Sequence, residues 1–191
     1  MARIGLKKAQ YALIDPERYK YFKYGSLDKI IEEKFAPEFN SAELYADDTL
    51  AESDYSFKKG TLTITVANDD DKTEAELMGH KYETSGYAAK RISDVAPEVG
   101  YGHIVTKIVN GVRKYKVEFF PRVKFNKITT DAKTRGENVE FGTTTIEGVV
   151  YPLDKDSQNF EAGTWEVHQT FDTEENAEEF LDECMMAMPE E

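Results

Sequence analysis

Two stretches alternate apolar and polar residues closely enough to set their local structure. In Val112 to Phe119, Val112, Tyr115, Val117 and Phe119 are interleaved with Lys114, Lys116 and Glu118. The run before it, Ile104 to Val109, is rich in β-branched side chains. Asn110-Gly111 lies between them and accepts positive φ at both positions. Tyr101 to Phe119 is therefore predicted to be a hairpin closed by a type I′ turn. The second stretch is Thr61-Leu62-Thr63-Ile64-Thr65-Val66, a strict alternation. It predicts a half-buried strand with Leu62, Ile64 and Val66 inward and a row of threonines on the other face.

Weaker patterns fill in the rest. Ile4 to Ile14 reads as a first strand, ended by Asp15-Pro16. Tyr19, Tyr21, Phe22 and Tyr24 form either a loop packed on the body or an aromatic ligand platform. Leu27 to Phe39 suits a strand or a short helix, with strand preferred. Asp47 to Lys59 is a long polar connection. Val123 to Ile128 continues as a strand, and Asp131 to Asn138 is a polar loop. In Val139 to Tyr151 the apolar parity changes partway, which predicts a bulge near Gly142 to Thr145. Trp165, Val167 and Phe171 alternate as a last strand.

Two helices are predicted. One spans about 72–79, signalled by the acidic cluster Asn68 to Asp71 before it and by Gly79 after it. The other spans about 173–186, with Asp172 as N-cap and Glu175 completing a capping box. Ala177, Phe180, Leu181, Cys184, Met185 and Met188 form its apolar stripe, which faces either its own core or a neighbouring subunit. The fold class expected is mainly β, a β-sandwich with these two helices. The 191 residues suit a single domain over 1–191, with 152–191 as a C-terminal strand-and-helix extension.

Charge narrows the function. Lys and Arg number 24 against 37 Asp and Glu, a net charge of −13, so repulsion from nucleic acid is the default. The single Cys184 cannot form an internal disulfide, which fits a reducing compartment. Met1 to Gln10 lacks an apolar signal segment, and no run approaches the ~18 apolar residues of a membrane helix. His80, His103 and His168 have no metal-ligand spacing and read as structural or surface residues. Asn68 to Asp71 lacks the glycine and distal glutamate of a calcium loop. There is no phosphate-binding glycine motif and no nucleophile elbow. Neither an enzyme nor a cofactor is expected.

Several blocks carry a resemblance. Ser93-Asp94-Val95-Ala96-Pro97-Glu98-Val99-Gly100-Tyr101-Gly102 with the following hairpin is one. Pro37-Glu38-Phe39-Asn40 leading into Leu44-Tyr45-Ala46-Asp47-Asp48 is another, with Glu52 four residues on. Glu137-Asn138-Val139-Glu140-Phe141 followed by Thr145-Ile146-Glu147-Gly148 is a third. With the opening Ile4-Gly5-Leu6-Lys7, these span roughly residues 4 to 150. In order and spacing they resemble the major tail (tail tube) protein family of long-tailed, non-contractile bacteriophages. No such signature follows Tyr151.

The resemblance implies a β-sandwich of tail-tube type that assembles into stacked rings of six. The stack is a hollow virion conduit through which DNA passes without specific binding. Its implied partners are further copies of itself and the tape measure, tail terminator and distal tail proteins, with assembly in the bacterial host cytoplasm. The long polar connection then becomes the inter-subunit or inter-ring loop, with Asp47, Asp48, Leu50, Glu52, Tyr55 and Phe57. Thr61, Thr63 and Thr65, with Glu43 near a channel mouth, become lumen-facing candidates that offer no cationic anchor. The competing reading is a monomeric β-sandwich binding module, for example carbohydrate-binding, with Tyr19 to Tyr24 and Trp165 as its platform.

Overall fold

The computed structural model describes residues 2–46, 49–67, 70–83, 85–130, 142–157 and 159–185. Its strands are β1 (Ala2–Ile14), β2 (Tyr21–Leu27), β3 (Ile30–Ala46), β4 (Thr49–Val66), β5 (Lys81–Tyr82), β6 (Ala88–Ala89), β7 (Glu98–Val109), β8 (Val112–Thr130), β9 (Thr144–Val150) and β10 (Val167–Phe171). The helices are α1 (Asp71–Met78) and α2 (Glu174–Met185). The protein is mainly β, as the alternation predicts, and its strand pairings are antiparallel.

One sheet dominates, ordered β2-β1-β7-β8-β9-β4-β3, with β10 also on β8. The predicted hairpin is β7–β8, and its turn has Asn110 at φ 52° and Gly111 at φ 82°, as a type I′ turn requires. Strand β8 is 19 residues long and joins the two halves of the sheet. Its first part, Tyr115 to Phe119, pairs with β10, and its last part, Val123 to Thr130, pairs with β9. Pro121 sits where the β7–β8 register shifts, a position that needs no ladder donor.

The bend in β8 makes two cores from one sheet. Tyr11, Leu62, Ile64, Leu77, Val99, Tyr101, Phe120 and Phe125 pack between the sheet halves and under α1. On the opposite face, Ile104, Val117 and Phe119 pack against Ala177, Leu181, Cys184 and Met185 of α2. The apolar stripe of α2 thus covers its own sheet. Strand β7 supplies both cores by alternation.

Several expectations are corrected. The Tyr19–Tyr24 segment is largely the edge strand β2, with Tyr19 and Tyr21 buried and Phe22 and Tyr24 exposed. Leu27 to Phe39 is strand as preferred, except that the Asp28-Lys29 turn divides it between the end of β2 and the start of β3. The described part of the second β run begins at Thr144, and residues 131–141 lie outside the described residues. Trp165 precedes β10. Asp172 does not cap α2, because the helix begins at Glu174 and Asp172 lies one position before the cap; it pairs with Lys114 instead. Thr173 takes the role, its Oγ1 accepting from the Asn176 N–H at 3.4 Å. Helix α1 matches the reading, with Asp70 as N-cap and Gly79 as left-handed C-cap. The polar connection is the largest correction, since it is not a loop.

Candidate functional site: a projecting β-arm and its anchorage

Strands β3 and β4 pair without interruption by a loop from Ile30↔Val66 out to Ala46↔Thr49. On its other side β4 pairs with β9 only from Gly60 to Val66. Beyond Pro37 and Gly60, therefore, the two strands run on as a ribbon by themselves. At ~3.3 Å per residue, Glu38 to Ala46 reaches roughly 30 Å. An isolated two-stranded ribbon is marginal in water, and both its edges carry unpaired backbone groups. The stretch reads as a loop in sequence because it has no apolar alternation to mark a strand.

The base of the arm is held by a ladder of rings. Phe57 stacks on Trp165 with centroids 4.1 Å apart and planes at 10°. Trp165 lies 5.9 Å from Phe35, and Phe35 lies 4.7 Å from buried Phe120. Gly60 makes room for this, since a Cβ there would lie 2.2 Å from the Phe35 ring. Further out, Phe39 is opposite Phe57 and Tyr55 is opposite Ser41, which puts the three rings on one face of the ribbon. Phe39 is 52% exposed and Tyr55 63%.

A second anchor is polar. Tyr101 Oη donates to Glu33 Oε2 of β3 at 2.6 Å. His103 Nδ1 lies 3.0 Å from the same oxygen, within ion-pair range but without hydrogen-bond alignment. On the other side of the ring, Nε2 is 3.4 Å from Glu118 Oε2. Glu118 Oε1 also receives Lys116 at 2.5 Å and Arg3 at 3.0 Å. Burial by itself would lower the His103 pKa, but Glu118 and Glu33 outweigh it and raise it to about 9. Burial opposes ionisation of Glu118 as well, yet His103 and Lys116 hold it down at about 2. A charged imidazolium thus bridges β3 to β8 at neutral pH. The pattern hid this cluster, because Glu118 occupies a polar position of an alternating strand and reads as solvent-facing.

The proposed site residues fall apart into groups. Tyr55 and Phe57 are on the arm. Leu50, Glu52 and Glu43 occupy strand positions on it, and Asp47 and Asp48 lie outside the described residues. Thr61, Thr63 and Thr65 lie on the face away from the core, Thr61 exposed and the others half-buried. That face contains cations as well as threonines. Lys34 is directly opposite Thr63 on β3, and Lys127 pairs at 3.0 Å with Glu147, the β9 neighbour of Thr63. Glu43 does not join the threonines. It pairs with Ser53 on the arm, seven positions along β3 from the partner of Thr61, or roughly 23 Å.

The aromatic platform of the competing reading is not assembled. Tyr21 is buried with its hydroxyl on the Pro121 carbonyl, Tyr19 carries Lys155 over its ring, and Trp165 is stacked against Phe35 and Phe57. The Cys184 thiol is buried under α2 and pushed up to about 12, mainly by burial. Among the described residues, no group of three or more His, Cys, Asp or Glu side chains converges on a metal position, and no helix is long and apolar enough to cross a membrane. No protein-family model matches the chain, and no curated protein is significantly similar to it.

Proposed function

We propose that this chain is a structural virion protein, a tail-tube subunit that forms stacked hexameric rings around a DNA channel. The observation that carries the reading is the β3–β4 arm. It extends roughly 30 Å past the last β9 pair, carries the exposed rings of Phe39 and Tyr55 on one face, and is anchored at its base through Trp165 and Glu33. An arm of this kind has its natural cover on another copy. The ordered sequence blocks of residues 4 to 150 support the same reading, and so does the acidic balance, which keeps phosphates from sticking to a channel wall. The arm takes the inter-subunit role expected of the polar connection, as a strand pair rather than a loop.

The purified chain at high concentration is expected to form rings or tubes visible by negative-stain microscopy. Tyr55→Ser combined with Phe39→Ser is expected to leave the thermal midpoint within a few degrees of wild type while abolishing stacking. A wild-type chain that stays monomeric at millimolar concentration, and is not found in tubes of the virion that encodes it, sinks the proposal.

A further inference from the structure

Near the turn of the β7–β8 hairpin, three cations lie side by side across three strands. Arg3 of β1 pairs directly with Lys107 of β7, and Lys107 pairs directly with Lys114 of β8. These positions share the face that carries His103 and Val105, opposite α2. Lys116 is two pairs further in on the same face, across from Val105. Like charges directly opposite on neighbouring strands are destabilising, and here the arrangement occurs in a chain of net charge −13.

The outer two cations have carboxylates. Arg3 reaches Glu118, and Lys114 reaches Asp172. Glu118 is already shared with Lys116 and His103. No carboxylate of the described residues forms an ion pair with the central Lys107. Burial lowers its pKa first, repulsion by Lys116 and Arg3 adds to that, and the more distant attraction of Glu118 only partly opposes it.

The same chain has a segment of opposite character. The outer strands of the arm, residues 40–46 and 49–56, contain Glu43, Glu52 and Asp54 and no lysine or arginine, and the sequence between them adds Asp47 and Asp48. Copies with a large net negative charge repel one another at long range. They associate when local patches of opposite sign meet. We infer that the Arg3–Lys107–Lys114 row is the receptor for the acidic outer arm of a second copy of this chain. This rests on the tail-tube reading and names the surface on which its arm lands. The contact is head-to-tail, patch to arm, so it repeats from copy to copy rather than closing a two-fold dimer.

The test mixes ¹⁵N-labelled and unlabelled full-length chains at millimolar concentration and applies a zero-length carbodiimide cross-linker. Mass spectrometry then reads bonds between differently labelled copies, and microscopy of the same sample reads tubes. The expected result is inter-copy amide bonds from Lys107 or Lys114 to Glu43, Glu52 or Asp54, lost at 1 M salt, where the Debye length shrinks to about 3 Å. Lys107→Glu should reduce these bonds at least tenfold, and Glu52→Lys with Asp54→Lys in that background should restore assembly. Tubes that form without any of these bonds overturn the receptor while leaving the tube reading standing. Inter-copy bonds without tubes keep the receptor and overturn the ring-stacking reading. Neither bonds nor tubes overturn both. Lys107→Glu relieves a repulsive row, so a fold no less stable than wild type is expected. A Lys107→Glu variant that assembles like wild type at every salt concentration also overturns the receptor.

Discussion

At the residue scale, His103 is the most consequential side chain that the alternation pattern did not single out. Its pKa is raised from 6.5 to about 9 in the fold. The stability it contributes is therefore fully present below pH 6.5 and is lost as pH rises through about 9. Glu118 runs the other way, from 4.5 down to about 2, so its share is present above pH 4.5 and is lost as pH falls toward 2. For a histidine almost completely buried, the shift corresponds to about 3 kcal/mol. Thermal midpoints measured from pH 6 to pH 10 should fall along this curve. His103→Gln should flatten the alkaline limb and destabilise by roughly 3–5 kcal/mol, because two buried glutamates lose their bridging charge. An alkaline limb unchanged in that variant would show that other groups set it. Gly111 gives a second residue-scale expectation. A Cβ there meets nothing within 4 Å, so Gly111→Val is strained only by its φ of 82°. A loss of about 1–3 kcal/mol in chemical denaturation is expected, with no change in assembly at low temperature.

At the element scale, the arm and α2 behave oppositely. Ala177, Leu181, Cys184 and Met185 of α2 are buried against Ile104, Val117 and Phe119, so α2 belongs to the folding unit. Leu181→Ala should cost about 2–5 kcal/mol, as a large-to-small change in a core does, and circular dichroism melts will read it. The arm meets the body at its base, where Phe57 stacks on Trp165. Replacing residues 40–56 by a short Asn-Gly turn should leave a folded body with a near-native melt and no stacking. A truncated chain that fails to fold would make the arm part of the core and remove its assembly role.

At the scale of the whole molecule, the question is which surface lines a channel. The face of Thr61, Thr63 and Thr65 points away from both cores and also bears Lys34, Glu147 and Lys127. As a channel wall it would be mixed in charge rather than free of cations, with Lys127 neutralised by Glu147. Repulsion of DNA would then come from the acidic remainder, felt over a Debye length of about 8–10 Å. Thr63→Lys, between Lys34 and Glu147, would put three cations around the single Glu147 carboxylate and make this part of the face net positive. In the assembled virion, tubes should form and DNA ejection should slow, more so at low salt. Normal ejection at every salt concentration from normal tubes would place this face on the outside.

The sequence by itself determined the elements whose signal is local. Asn110-Gly111 specified a turn because few residue pairs accept positive φ twice. Thr61 to Val66 specified a strand because one face is buried and the other is not. Asp70 and Gly79 bounded α1 by their own backbone chemistry. Tertiary structure decided what depends on distant partners. Asp47 to Lys59 has the composition of a loop, and most of it is a strand because β3 supplies its hydrogen bonds. Glu33 and Glu118 look like surface carboxylates until the fold over β8 brings them to opposite sides of His103. Asp172 has the type of an N-cap, but α2 begins at Glu174, so Thr173 caps it and Asp172 pairs across the sheet edge with Lys114. Such outcomes are invisible to periodicity, because the contact that decides each one is made across the sheet rather than along the strand.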